Sequence, residues 1–152
     1  MKPNKKIKIN QLVNILKISK SFIFLDEITA FKKNKKINAK YKIKKNNWFF
    51  KSHFINEPVM PGTLLTEAML QATATLIYLS EKKLYERTFI NRVTTNFYKK
   101  INFYADLKIV SNILSKNNGF IEAKSEIFLK KKKICSGNFR YINSKQFEIS
   151  ND

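Results

Sequence analysis

This 152-residue chain has little cysteine, glycine, histidine and arginine, and each scarcity excludes a class of protein. A single cysteine, Cys135, cannot form an internal disulfide, so a disulfide-stapled scaffold is excluded and a reducing, cytoplasmic location is expected. One histidine and one cysteine cannot supply the ligands of a structural zinc site. With three glycines the chain has no glycine-rich phosphate loop and no Gly-x-Ser-x-Gly nucleophile turn. Lys17 and Lys20 interrupt any signal-peptide core, so no targeting segment is expected.

Acidic residues are also scarce, with 11 Asp and Glu against 30 Lys and Arg, for a formal net charge of +19. Only three of the basic residues are arginines (Arg87, Arg92 and Arg140), whereas recognition of phosphates and bases favours the arginine fork. Nucleic-acid binding is therefore disfavoured, and solvated lysine faces on strands are the simplest interpretation. The alternative is a positive surface that attracts an acidic partner over a long range.

The most informative part of the chain is the segment from residue 53 to residue 71, HFINEPVMPGTLLTEAMLQ. Pro58 and Pro61 each fix one φ angle, and Gly62 allows a sharp entry into a helix. The apolar pattern predicts that helix over residues 63–79. It is apolar nearly all round, so it should be surrounded by protein, but it is too short and too polar for a membrane span.

Two side chains in this segment are suited to proton transfer. His53, when neutral, can accept a proton. Glu67 has no Lys or Arg three or four residues away, and a buried carboxyl without a cation favours its protonated form, which suits a general acid. The plainer alternatives are a structural histidine, and a Glu67 that pairs with a distant lysine or with Gln71. His53 and Glu67 lie on either side of a Pro-Gly turn, whose free N–H groups near Gly62 can polarise a carbonyl. This combination of groups favours an enzyme that removes water from a β-hydroxyacyl compound.

The rest of the chain predicts an α+β fold in a single domain, residues 1–152. A short helix is predicted over residues 11–17. A sheet of four to six antiparallel strands is predicted from strand-type runs at residues 22–32, 35–45, 88–101, 106–114, 119–129 and 134–142. A turn at Lys116–Gly119 separates two of these strands.

The motif His-Phe-x-x-x-Pro-Val-Met-Pro-Gly, followed by Glu-Ala-Met-x-Gln, resembles the 3-hydroxyacyl-[acyl-carrier-protein] dehydratases of the FabZ/FabA type. The resemblance extends over residues 8–142. Residues 9–28 are similar to that family's opening helix and first strand, and residues 97–106 resemble its Phe-Arg-Arg-Pro-Val…Gly-Asp segment. The resemblance implies the hot-dog fold, in which a curved antiparallel sheet wraps a long central helix.

The resemblance also implies roles for individual residues. His53 matches the catalytic histidine and Glu67 the catalytic acid. Gly62 matches the glycine whose N–H binds the thioester carbonyl, and Val59 the residue whose carbonyl orients the imidazole. In the family, the histidine and the acid meet across the interface of a homodimer, and such dimers often assemble into trimers of dimers. Both steps of the reaction are proton transfers, so no metal or redox cofactor is expected.

The implied substrate is a 3-hydroxyacyl thioester on acyl carrier protein, an acidic partner. Lys99, Lys100 and the run Lys130–Lys133 are the candidates for docking it. Neither nucleic acid nor a membrane is an expected partner.

The chain departs from the family pattern beside the histidine. Ser52 stands where the family has glycine, and Ile55 and Asn56 stand where it has Pro-Gly. These changes favour a specialised acyl substrate and keep open the alternative of a catalytically silent acyl-binding or scaffold subunit. A second alternative is an acyl thioesterase, because related hot-dog proteins have that activity.

Overall fold

The computed structural model describes residues 6–81 and 88–143, which form seven strands, two α-helices and two 3-10 turns. In chain order the elements are β1 (Ile7–Lys8), α1 (Ile9–Leu16), a 3-10 turn (Lys20–Phe22), β2 (Glu27–Lys32), β3 (Lys36–Lys42), a second 3-10 turn (Trp48–Lys51), α2 (Gly62–Ser80), β4 (Thr88–Phe97), β5 (Asp106–Asn117), β6 (Phe120–Leu129) and β7 (Lys132–Asn143). The α+β class predicted from the sequence is confirmed.

All seven strands belong to one curved antiparallel sheet with the order β1-β2-β3-β5-β6-β7-β4. Strand β3 pairs with β5 from Lys36 opposite Asn112 to Lys42 opposite Asp106. Strand β4, which follows α2 in the chain, pairs only with β7 among the described strands and forms one edge of the sheet.

Helix α2 lies against the inner face of the sheet, where it contacts β3, β5, β6 and β7. It was predicted over residues 63–79 and extends one residue further at each end. Its buried side chains face every direction, as its nearly continuous apolar pattern requires: Leu65, Ala68, Met69, Leu70, Gln71, Ala72, Thr73, Thr75, Leu76, Ile77 and Ser80. A curved sheet around a long buried helix is the hot-dog arrangement. Neither described helix has the combination of length and apolarity needed to cross a membrane.

The alternation predicted for the second strand is confirmed. Ile37, Ala39, Tyr41 and Ile43 are buried, while the lysines between them are exposed.

The predicted turn after β5 is also present, with Asn117 paired with Phe120 across a two-residue connection. Its residues 118 and 119 have φ of 50° and 79°, the left-handed conformation that Asn and Gly tolerate and that tight hairpins use.

Two strand boundaries differ from the prediction by four residues or more. Strand β2 begins at Glu27 rather than at residue 22, because residues 20–22 form a 3-10 turn and the backbone that follows bonds to a helix side chain. Strand β4 ends at Phe97 rather than at residue 101, because the N–H groups of Tyr98 and Lys99 both turn to one carbonyl, that of Ile134. The two-residue β1 was not predicted, and the count of seven strands exceeds the expected four to six. Arg87 lies outside the described residues.

Candidate active site

The loop between β3 and α2 holds His53 through backbone contacts. The 3-10 turn before it buries Phe49 and Phe50, which anchor the loop in the core. The His53 N–H then donates to the Phe49 carbonyl at 3.0 Å, and the His53 carbonyl accepts from the Val59 N–H at 2.9 Å. The imidazole Nδ1 lies 3.0 Å from the Val59 carbonyl oxygen. His53 and Val59 are therefore joined twice, and the ring has little freedom to turn.

The contact with Val59 determines which ring nitrogen of His53 carries the proton. A carbonyl oxygen can only accept a hydrogen bond, so Nδ1 must be the donor. In the neutral ring this leaves Nε2 without a proton and able to accept one. A histidine held in this tautomer is suited to act as a general base.

The departures from the family pattern leave this geometry intact. Ser52 has φ −116° and ψ −20°, an ordinary right-handed conformation that does not require glycine. The Phe54 ring lies against the imidazole with 3.7 Å between the ring centroids. Ile55 is 89% exposed and contributes to the surface rather than to the packing around His53.

The start of α2 lies beside the same loop. The Met60 N–H donates to the Ile101 carbonyl at 2.8 Å, and the helix begins two residues later, at Gly62. An N–H in the first turn of a helix has no acceptor within the helix and carries partial positive charge. A Cβ at position 62 would lie 3.0 Å from two ring carbons of Phe97, so only glycine fits without moving that ring.

His53, Val59 and Gly62 line one cavity of about 390 Å³. Its other lining residues are Met60, Leu65, Phe97, Tyr98, Lys99, Lys100 and Ile101. The structure thus brings together three of the four predicted central residues of the site. One cavity is thus lined by a histidine whose Nε2 can accept a proton and by the N-terminus of a helix. This pair is suited to remove a proton from a carbon next to a polarised carbonyl.

Glu67 lines a different cavity, of about 280 Å³, on another side of the helix. The Gln71 amide donates to its Oε1 at 2.9 Å. Of the two partners considered for Glu67, the structure shows Gln71, and no lysine within residues 6–81 and 88–143 forms an ion pair with this carboxyl.

The sequence pointed to Gln71 only as a possible partner of Glu67, but this buried side chain also holds the backbone of a distant segment. Its Oε1 accepts the Phe24 N–H at 2.9 Å, and its Nε2 donates to the Phe22 carbonyl at 2.7 Å. These two backbone groups leave only one orientation of the amide, and in that orientation the second N–H of Nε2 points to Glu67. The signal in the sequence was the spacing of four, which puts residues 67 and 71 on one face of the helix.

Within one chain, His53 and Glu67 do not share a cavity. Strand β4 runs from one cavity to the other, because its last residue, Phe97, lines the first, while Thr88, Phe89 and Ile90 at its start line the second. One protomer alone therefore does not bring the two predicted reacting groups together.

The predicted docking lysines differ in their surroundings. Lys99 is exposed. Lys100 forms an ion pair with Glu57, and this hydrogen bond and charge lower the pKa of the Glu57 carboxyl. Lys133 likewise pairs with Glu126, whose pKa is lowered chiefly by that hydrogen bond. Within the described ranges no three His, Cys, Asp or Glu side chains lie close enough together to hold a metal ion.

Comparisons with known proteins identify the fold and, separately, the family of the chain. A chain of the dehydratase heterocomplex ApeI:P of Xenorhabdus doucetiae superposes with a TM-score of 0.77 at 13% identity, over 96% of this chain and 99% of that one. A mutant thioesterase of Pseudomonas aeruginosa superposes with a TM-score of 0.69 at 11% identity, over 93% of this chain and 96% of that one. The fold is thus the hot-dog fold, shared by dehydratases and thioesterases.

The sequence comparisons are more specific. A family model described as a FabA-like domain matches residues 17–137, and the chain belongs to this family. The 3-hydroxyacyl-[acyl-carrier-protein] dehydratase FabZ of Buchnera aphidicola subsp. Schizaphis graminum is 34% identical over 143 residues, which cover 91% of this chain and 93% of the relative. The FabZ dehydratase of Caldicellulosiruptor saccharolyticus is 28% identical over 130 residues, 85% of this chain and 93% of the relative.

Proposed function

We propose that this chain is a 3-hydroxyacyl-[acyl-carrier-protein] dehydratase, a hydro-lyase of fatty acid or related acyl-chain synthesis. The observation that carries the proposal is the pairing of His53 Nδ1 with the Val59 carbonyl, in the cavity that also contains the start of α2. The FabZ relatives, aligned over nearly the whole chain, support the same activity.

The proposed reaction consists of two proton transfers. Nε2 of His53 removes a proton from the α-carbon of the acyl chain, while the thioester oxygen accepts a hydrogen bond from the Gly62 N–H. The electron pair forms the α,β double bond, and the β-hydroxyl leaves with a proton from Glu67 as water. Glu67 recovers its proton and His53 releases one, so the chemistry balances without a metal or redox cofactor.

We propose that the acid comes from a second copy of the chain, in a homodimer formed through β4. The outer edge of β4 has no partner among the described strands, and it exposes a row of large apolar side chains that include Phe89, Ile90, Val93 and Phe97. An exposed apolar edge strand readily pairs with another chain.

The direction of this pairing decides which groups meet. A two-fold axis near Val93 would set two β4 strands antiparallel, with the Phe97 end of one beside the Thr88 end of the other. The His53 cavity adjoins the first end and the Glu67 cavity adjoins the second. The dimer would therefore join two incomplete half-sites into two complete sites. A trimer of dimers stays a further prediction.

The Glu67 cavity is a candidate for holding the start of the acyl tail. It continues along one face of α2, past Leu70 and Ala74 to Tyr78, and its lining is mostly apolar. Apolar clefts with a few polar groups are typical of such ligand sites.

The test of this function is turnover of 3-hydroxyacyl thioesters by three proteins. Wild type should interconvert a 3-hydroxybutyryl and a crotonyl thioester, which is followed by the ultraviolet absorbance of the enoyl group. His53→Ala and Glu67→Gln should each lose activity by about a hundredfold or more while keeping the wild-type circular dichroism spectrum. Full turnover by either variant would contradict the assigned roles.

Two further measurements on the wild-type protein separate the alternatives. Release of free thiol from an acyl thioester, without interconversion, would identify a thioesterase. Binding of acyl carrier protein with no turnover at any chain length would identify a silent subunit. A cytoplasmic location and a single domain over residues 1–152 stay predictions.

A further inference from the structure

A group of exposed lysines and aromatic residues lies on the loop that holds His53 and on the segment bonded to it. Lys44, Lys45, Trp48 and Lys51 lie on the segment that leads to the histidine, and Tyr104 lies on the neighbouring segment before β5. We call these five residues the basic-aromatic rim. The two segments are joined by the Ile43 N–H, which donates to the Ala105 carbonyl at 2.8 Å.

The aromatic part of the rim is held in place by a continuous row of rings. Trp48 contacts Phe49, Phe49 contacts Phe50, Phe50 contacts Phe103, and Phe103 contacts Tyr104, with centroid separations between 4.7 and 6.5 Å. The inner rings Phe49 and Phe50 are buried, whereas Trp48 is 55% and Tyr104 is 76% exposed. Two large rings are thus presented to solvent from a rigid base, which is the arrangement of residues that dominate protein interfaces.

The charge of the rim is not cancelled by its neighbours. Residues 28–56 contain nine lysines and no Asp or Glu. Among residues 6–81 and 88–143, no carboxylate forms an ion pair with the three rim lysines. Lys45 lies over the Phe103 ring, with its Nζ 5.9 Å from the centroid, which keeps that cation beside the aromatic row. Lys100, by contrast, is paired with Glu57 and contributes little net charge.

The position of the rim fits the delivery of a tethered substrate. The rim residue Lys51 is two residues before His53, and Phe54, whose ring lies on the imidazole, is itself 57% exposed. A carrier that brings a thioester to His53 has to dock near this loop, because the group that links the thioester to the carrier has a limited length. The acidic surface of a carrier would be attracted by the three rim lysines, which form no ion pair, and its apolar patches would pack on the exposed rings of Trp48 and Tyr104.

We infer that the basic-aromatic rim is the docking surface for the acidic carrier protein that brings the acyl thioester to His53. This inference rests on the proposed function and gives it a location on the molecule. It differs from the docking residues expected from the sequence, because it moves the main contact from Lys99 and Lys100 to the segment before the histidine.

The chain offers a matched control for this inference. Lys32, Lys33 and Lys35 at the turn between β2 and β3 are equally exposed and equally basic. They lie beyond the opposite end of β3, and the seven residues from 36 to 42 separate the two ends by about 20 Å. We call these three residues the far-turn lysines.

The experiment compares two triple variants. One replaces the three rim lysines with Glu and the other replaces the far-turn lysines with Glu, so that both change the net charge equally. Each is assayed with 3-hydroxybutyryl-acyl carrier protein and with the 3-hydroxybutyryl thioester of N-acetylcysteamine, which has no protein part. We expect kcat/KM for the carrier substrate to fall by about tenfold or more in the rim variant alone, with kcat/KM for the small thioester within about twofold of wild type in both variants. Trp48→Ala should reduce the carrier reaction in the same selective way.

The remaining outcomes would overturn the inference. An equal fall in both variants would mean general charge attraction, and no fall in either would mean docking elsewhere. Loss of binding to phosphatidylglycerol vesicles in the rim variant, with the carrier reaction unchanged, would assign the rim to a lipid surface.

Failure of the proposed function would appear differently, as no turnover of either substrate by wild type. Fluorescence anisotropy of labelled acyl carrier protein then decides the docking surface by itself. Weaker binding by the rim variant than by the far-turn variant supports the inference, and equal binding refutes it.

Discussion

Two inactive variants of this enzyme should restore activity when they are mixed. His53→Ala removes the proposed base, and Glu67→Gln removes the proposed acid. In one chain these residues line separate cavities, and in the proposed dimer each complete site takes one residue from each protomer. A mixed dimer then contains one site in which both groups are intact, and another in which both are changed.

The expected recovery follows from this geometry. If equal amounts of the two variants reassort at random, half of the dimers are mixed, and each has one intact site of two, so activity returns to about a quarter of wild type. The variants are unfolded together in urea, refolded, and assayed by hydration of a crotonyl thioester. Each variant refolded alone is the control, and both should stay inactive.

If the mixture stays inactive although size-exclusion chromatography shows the mixed dimers to be present, the shared site is refuted. In that case both groups would have to act within one chain. The β4 edge could then still form a dimer, but the dimer would not be required for the chemistry.

Further predictions concern single residues. Gln71→Met should lower the free energy of unfolding in urea by about 2–4 kcal/mol, because it leaves the buried Phe24 N–H and the part-buried Phe22 carbonyl without their hydrogen-bond partner; an unchanged midpoint would contradict the network. Gly62→Ala should reduce turnover because its Cβ meets the Phe97 ring at 3.0 Å, and a wild-type rate would show that the ring moves freely. If the proposed dimer forms through β4, Val93→Lys should yield monomers in sedimentation experiments where wild type sediments as a dimer, since it puts like charges opposite each other at the proposed axis. Burial raises the pKa of the Cys135 thiol to about 12, so a thiol reagent at neutral pH should modify it only after unfolding, and rapid labelling of the folded chain would argue against this burial.

Local sequence patterns were sufficient to predict the helix and most strands. Helix α2 is apolar on every side, and β3 alternates with a period of two, so the position of each side chain relative to the core could be predicted. The boundary of β2 could not be predicted in this way. Residues 23–25 are buried and apolar like a strand, but the backbone of this segment bonds to Gln71, which is 47 residues away in the chain from Phe24.

Less of the candidate site than of the fold could be predicted from the sequence. The turn before α2 and the resemblance to a family pointed to His53, Val59 and Gly62, which share a cavity in the structure. Glu67 lines a second cavity together with residues 16–18 and 88–90, which are distant from it in the chain, and no local pattern shows that these segments meet. The ion pair that neutralises Lys100 also depends on a contact between residues 43 positions apart.

Hydrogen bonds from peptide groups help to hold both His53 and Gln71 in place. Phe49 bonds to the His53 N–H and Val59 bonds to the imidazole through their main-chain atoms, and residues 22 and 24 bond to the Gln71 amide in the same way. Substitutions at those four positions therefore leave the hydrogen bonds in place as long as the chain path is kept. A gene under strong mutational pressure toward lysine codons could replace much of the protein's exterior and still encode a working reaction centre.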